Sequence, residues 1–112
     1  MPERKFNPGD IVKHFKREQC EANEPALLTE EPNMYYYMFR RIATHTETGE
    51  KLAIYEAMYA PFETYARPLD MFMSEVDHEK YPDIKQVYRL EKVENINVIA
   101  AVLKRYYDNF MN

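Results

Sequence analysis

The sequence predicts a mainly β protein: a small sheet, strongly bent or closed into a barrel, with a long insertion after the first strand and an α-helix at the C-terminus. Three observations predict it. Runs rich in β-branched and aromatic residues, foremost 34–44 and 52–59, are divided by sharp turn signals. The stretch 17–33, between the first two such runs, holds five glutamates, two prolines and few strand formers. Residues 95–111 switch to an apolar period of three and four. Closing a small sheet into a barrel removes its exposed edges, which favours that arrangement.

The elements follow in order. Asn7-Pro8-Gly9 is a turn signal. A first strand is expected over 10–16, with Ile11 and Val12 inward. Residues 17–33 read as a loop in which Ala26-Leu27-Leu28 makes a brief helical turn or a hydrophobic plug. The strand over 34–44 begins with consecutive apolar residues, so its first half should be buried on two sides. Thr46-Glu47-Thr48-Gly49-Glu50 is a hairpin loop in which Gly49 is free to take positive φ. The return strand covers 52–59. Ala60-Pro61-Phe62-Glu63 turns the chain into a short strand over 64–67, ended by Pro68, which lacks a ladder donor. Residues 69–72 form one tight helical turn and 73–76 extend again. A polar stretch over 77–83, broken by Pro82, leads to a last strand over 85–93 with Val87, Leu90 and Val93 as its apolar points. Ile96, Ile99, Leu103, Tyr106 and Phe110 then make a helical stripe that Val98 and Val102 widen, with Asn95 as N-cap. The organisation expected is a β domain over 1–93 and a helix over 94–112, packed on that domain or placed at a dimer interface.

A chain of 112 residues is one domain, and 46% hydrophobic with 30% charged residues is a globular balance. Ten Tyr and six Phe without Trp suit either a half-buried pleated surface or a binding face. The net charge of −4 argues against nucleic-acid binding as the main role, since that needs a basic field. The charge is unevenly spread: residues 1–17 carry five basic and two acidic groups, whereas 18–33 carry five acidic and no basic ones. A single cysteine, Cys20, excludes an internal disulfide framework. No apolar stretch approaches the about 20 residues of a membrane span, and the start lacks a signal-peptide core, so a cytoplasmic location is the default expectation.

Candidate site residues are few. Cys20 and the histidines at 14, 45 and 78 show no pair with zinc-site spacing, so neither metal nor cofactor is expected. Cys20 lies between Glu18 and Glu21, where negative charge disfavours a thiolate, and no catalytic residue is assigned. His45 closes a strand before the hairpin. Turn bonds from Thr46 or Glu47 to backbone amides explain that segment, set against acid–base work by His45 with Glu47 or Glu56. Arg67, held extended by Pro68, has three uses: pairing with Asp70 or Glu56, stacking on an aromatic ring, or meeting a carboxylate or phosphate ligand. His14 and Lys16 share a face of the first strand, opposite Phe15, and can join it. Tyr35, Tyr36, Tyr37, Phe39, Tyr55 and Tyr59 either line an aromatic groove or pack the sheet and helix.

Lys13-His14-Phe15-Lys16, the run from Ile42 to Thr48, Ile54-Tyr55 with Met58-Tyr59, Arg67-Pro68-Leu69-Asp70-Met71-Phe72 through Val76, and Lys80-Tyr81-Pro82-Asp83-Ile84-Lys85-Gln86 with Tyr88-Arg89-Leu90-Glu91 carry a resemblance. Over about residues 8–93 the chain resembles the bacterial family catalogued as domain of unknown function 1653. The resemblance implies an SH3-like β-barrel and brings no established activity, cofactor or catalytic set. The insertion over 17–33 and the C-terminal helix depart from the family's usual pattern. The function expected is a non-enzymatic binding module presenting His14, Lys16, His45, Tyr55, Tyr59 and Arg67 to an unknown protein, a peptide or a small anionic ligand. SH3-like barrels often receive extended peptides on such surfaces. One alternative is a small enzyme or metal-dependent protein using His14 and His45 with a nearby Glu, which requires the two imidazoles to converge in a cleft. Another is a homodimer through the C-terminal helix stripe.

Overall fold

A computed structural model describes residues 4–110. The elements are β1 (Ile11–His14), α1 (Lys16–Asn23), α2 (Pro25–Glu30), β2 (Tyr36–Thr44), β3 (Lys51–Ala57), β4 (Thr64–Pro68), α3 (Leu69–Phe72), β5 (Leu90–Lys92) and α4 (Ile96–Phe110). The expected continuation of the last helix to residue 112, and the first three residues of the 1–93 unit, lie outside the described residues. The strands form one antiparallel sheet in the order β4-β3-β2-β1-β5. The fold is therefore mainly β with an insertion after the first strand and a C-terminal helix, but the sheet is open rather than closed into a barrel. The short edges explain this. β5 has three residues, and β4 has five and ends at Pro68. Past the proline the chain turns into α3 and lays Phe72 on one face of the sheet instead of extending its edge.

β2 organises the interior. Tyr36, Tyr37, Met38 and Phe39 are all buried, as consecutive apolar residues require when both faces are covered. Alternation sends Tyr37 and Phe39 to one face, with Val12, Tyr55, Phe72 and Leu90, and Phe6 packs against them. Tyr36 and Met38 go to the other, with Ile11, Met58 and, from α4, Val102 and Tyr106. The helix stripe is thus largely used within the chain: Val98, Ile99 and Leu103 pack there as well, while Ile96 is 77% exposed and Phe110 52% exposed. Asn95 Oδ1 accepts the Asn97 and Val98 amides, which is the expected cap. Gly49 takes φ +76° in the β2–β3 hairpin. No helix among the described residues is long and apolar enough to cross a membrane.

Two segments differ from the sequence reading. The 17–33 stretch is not a loop but α1 and α2. Lys, Arg, Glu, Gln and Ala in Lys16–Asn23 are good helix formers, and Glu18 suits the first turn of a helix. Pro25 stands at the start of α2, where a missing N–H costs nothing, so it begins a helix rather than breaking one. Leu27 is 38% exposed and plugs nothing. Arg17 Nη1 closes the insertion by donating to the carbonyls of Pro32 at 2.6 Å and Met34 at 3.0 Å. The last strand shrinks from 85–93 to Leu90–Lys92. The amides of Lys85 and Gln86 donate to the Glu18 carboxylate at 2.7 and 3.0 Å, and those of Val87 and Tyr88 to Glu91 Oε2. Side chains have taken the donors that a ladder would use.

Two polar clusters fasten α4. Asn33 is 1% exposed, and its Nδ2 donates to the carbonyls of Met58 and Val102 at 3.0 Å each, while Oδ1 accepts from Arg105 Nε at 2.7 Å. Glu56 Oε2 accepts the Tyr106 hydroxyl at 2.7 Å and Oε1 is held by Arg40. Burial, with the Glu56 bond adding to it, pushes the Tyr106 hydroxyl up to about 12. Asn33→Leu keeps the branched heavy-atom skeleton but removes three bonds at once. It should lower the unfolding free energy by about 2–3 kcal/mol in urea denaturation. A loss below about 0.5 kcal/mol would mean that apolar packing alone seats the helix.

Candidate functional site

The strand register brings a set of side chains to one end of the sheet, on the Tyr37 face. Tyr55 lies opposite Tyr65, Ala53 opposite Arg67, and Tyr37 opposite Ala57, so Tyr37, Tyr55, Tyr65 and Arg67 share that face. β1 ends beside the start of β2, where the His14 amide donates to the Tyr35 carbonyl at 3.0 Å. The chain then leaves the strand at Phe15, and the first residue of α1 turns back, so that the Lys16 amide donates to His14 Nδ1 at 3.1 Å. His14 and Lys16 are therefore neighbours through a helix start, not through the strand alternation the sequence suggested. With Tyr35 these residues line a pocket of about 240 Å³. A second pocket of about 280 Å³ shares His14, Lys16 and Arg67 and adds Phe15, Asp77, Lys80, Tyr81 and Arg89.

The first pocket is a box of rings around Tyr37. Tyr55, Tyr59, Tyr65 and His14 meet the Tyr37 ring at 78°, 69°, 72° and 62°, with centroids 5.5 to 6.4 Å away. The Tyr37 and Tyr59 hydroxyls lie 2.9 Å apart and share a hydrogen bond. Burial above all drives the Tyr37 hydroxyl far above its usual range, so it is a neutral donor and acceptor at any physiological pH. Arg67 sits beside the Tyr55 hydroxyl, whose pKa burial raises while the guanidinium acts the other way.

The second pocket is cationic. Lys16, Arg67, Lys80 and Arg89 face one carboxylate, Asp77, and Asp77 Oδ1 is engaged by the Glu79 and Lys80 amides. Among the described residues none of the four cations lies within ion-pair distance of a carboxylate. Arg89 Nε is buried without a hydrogen-bond partner. Burial first, then the charges of Lys16, Arg67 and Arg89, hold the His14 pKa down to about 3. The imidazole is neutral at pH 7. Since Nδ1 accepts a bond, the proton sits on Nε2, which is left as a donor.

The six residues singled out by sequence divide as follows. His14, Lys16, Tyr55 and Arg67 line the first pocket. Tyr59 stands behind it, bonded to Tyr37. His45 lies elsewhere: its own Nδ1 accepts the Glu47 and Thr48 amides at 3.1 and 3.3 Å, doing the turn work expected of Thr46 or Glu47. The nine residues of β2 separate His45 from His14 by roughly 30 Å. Glu56 is on the opposite face, bonded to Arg40 and Tyr106. The two imidazoles therefore do not converge, and the acid–base or metal reading built on His14 and His45 with Glu47 or Glu56 fails on geometry. No three His, Cys, Asp or Glu side chains among the described residues gather to hold a metal. Arg67 pairs with neither Asp70 nor Glu56. Sequence reasoning missed Tyr65, Lys80, Tyr81 and Arg89. Tyr65 was readable, two residues from Arg67 on a strand. The other three lie in the irregular 77–89 stretch, where no period places a side chain.

A family model described as a protein of unknown function (DUF1653) matches residues 10–92. No curated protein and no solved structure matches the chain.

The depressed His14 pKa fixes a sign for acid stability. Between about 3 and 6.5 the unfolded chain binds a proton at this residue that the folded one does not, so folding weakens as pH falls through that window and is unaffected by it above. His14→Gln should lose less stability than the natural protein between pH 7 and 4.5, by at least about 1 kcal/mol in urea melts. Equal losses would show that His14 is not held neutral.

Proposed function

The chain belongs to the DUF1653 family of proteins of unknown function, and from that premise we propose that it is a non-enzymatic binding module of the bacterial cytoplasm that captures an anionic group at the cationic pocket beside the tyrosine-lined one. The observation that carries this reading is the run of unpaired cations. In a chain with 19 acidic and 15 basic residues, the pocket gathers Lys16, Arg67, Lys80 and Arg89 around a single carboxylate that is already engaged. Arginine presents a planar fork that fits a carboxylate or phosphate through two parallel bonds. The His14 Nε2–H adds an uncharged donor at the same rim.

The same geometry argues against turnover. A general base works best with a pKa near the operating pH, and His14 is held down to about 3. The one cysteine, Cys20, is buried in α1 with its Sγ against the Glu24 carbonyl, and it does not line this pocket. What is assembled is a set of donors and rings, which recognises and does not transform.

Titration with inorganic phosphate and with acetate, followed by backbone amide NMR, tests this. Shifts should concentrate at 14–16, 65–67, 77–81 and 89. Arg67→Gln and Arg89→Gln should each weaken binding about tenfold or more, the worth of a charge-assisted hydrogen bond. Shifts dispersed over the lysines of the whole surface, or none, would sink the reading.

A further inference from the structure

The pocket's two lobes differ in chemistry, and they adjoin. They share His14, Lys16 and Arg67; one is walled by tyrosine rings and the other by cations. Each alone falls short of the roughly 300 Å³ of an ordinary small-molecule site, and the two joined pass it. We infer that the ligand is a small phosphate monoester bearing a planar ring, of the nucleoside monophosphate class, with its phosphate in the cationic lobe and its ring among the tyrosines. The inference deepens the anion-binding reading and rests on it.

Three observations narrow the chemistry. A box of aromatic rings takes either an ammonium cation or another flat π-system. Lys16 and Arg67 line the same pocket and would repel an ammonium, which leaves the flat ring. Tyr65 is 38% exposed beside Tyr55, with its centroid 5.7 Å away, so it offers open ring surface at the edge of the box. The cationic lobe is too strongly charged for one carboxylate to neutralise. A phosphate monoester carries about −1.5 to −2 at pH 7 and has three acceptor oxygens for Arg67, Arg89 and Lys16. The ligand is also short. Beside the site, α1 and α2 and their connection carry Glu18, Glu21, Glu24 and Glu30 with only Lys16 and Arg17 to offset them, so a polynucleotide running out of the pocket would meet its own sign of charge.

The test compares adenosine 5′-monophosphate with ribose 5-phosphate, adenosine, inorganic phosphate and phenyl phosphate by calorimetry and amide NMR on the full chain. The nucleotide should bind about tenfold or more tightly than ribose 5-phosphate and than adenosine, the contribution of one stacked base and of the charged head respectively. In Tyr65→Ala that advantage over ribose 5-phosphate should shrink to a few-fold. Tyr65 lies on an edge strand and is partly exposed, and the amide spectrum checks that the variant is folded. Independently of any variant, nuclear Overhauser contacts should join the adenine protons to tyrosine ring protons. If nucleotide and ribose 5-phosphate bind equally while both shift Arg67 and Arg89, the ring assignment is overturned and the anion site stands. Adenosine binding as tightly as its monophosphate would overturn the phosphate assignment, and tighter binding of phenyl phosphate the nucleotide assignment. If no phosphate binds at all, the anion site falls and this inference with it.

Discussion

Tyr36 to Phe39 are buried on both faces of a sheet only five strands wide, and that one requirement shapes the rest of the molecule. An open sheet does not cover its own faces, so each face must recruit a lid. Phe72 of α3, with Phe6, covers the Tyr37 side, and α4 covers the Tyr36 side. Two-sided burial also fixes the pairing register. A slip of one residue would exchange the two sets of side chains and bring Glu56 into an apolar cluster away from Arg40 and Tyr106. The buried Asn33 and Glu56 make the helix's seat specific, because only one placement of α4 presents Arg105 and Tyr106 to them. The ring box around Tyr37 is a by-product of the same register. Its floor is core residues.

The insertion after β1 has two roles in the site. It begins with Lys16, and its Glu18 carboxylate collects the amides of Lys85 and Gln86. Gln86 in turn donates to the carbonyls of Lys13 and Tyr88, and His78 bonds the Gln86 carbonyl. The irregular stretch that carries Lys80 and Arg89 is therefore pinned at several points without being a strand. Polar bonds between distant segments do here what a ladder would otherwise do, and they leave the side chains of the stretch free to face the pocket.

The division between what was legible and what was not follows from locality. The turn at Gly49, the two-sided burial of β2, the single turn at 69–72 and the Asn95 cap each depend on a few consecutive residues, and each could be read. The helices of 17–33 were misread because prolines and glutamates were weighed as loop signals. Glu18 and Pro25 stand at helix starts, and the helix-forming run of α1 counts for more. The shortened last strand could not be read, since it turns on Glu18 finding amides 67 and 68 positions away and on Glu91 folding back onto those of Val87 and Tyr88. The site divides in the same way. Tyr55 and Arg67 are placed by strand alternation, whereas Arg89 is placed by backbone bonds with Ser74 and Phe15 and Lys80 by the turn at Asp77. His45 was singled out for its chemistry, and its geometry is that of a hairpin cap.

Magnitudes explain why a cluster of unpaired cations persists on an acidic chain. A carboxylate placed beside Arg67 or Arg89 would add only about 0–1 kcal/mol at a partly exposed site. Mutual repulsion among four cations is correspondingly screened wherever water reaches them, over about 8 Å at physiological ionic strength. The cost of leaving the cluster open is thus small beside the stability of the two buried clusters and the polar pins beneath α4. The gain on entry of a multiply charged group would be larger, because several of these donors would then act on one centre. Burial first, and then the charges of Lys16, Arg67 and Arg89, depress the His14 pKa. Asp77 is the one carboxylate that lines this pocket beside four cations, whereas the neighbouring helices are rich in carboxylates. On the proposed reading, the ligand supplies the negative charge that the pocket's own residues lack.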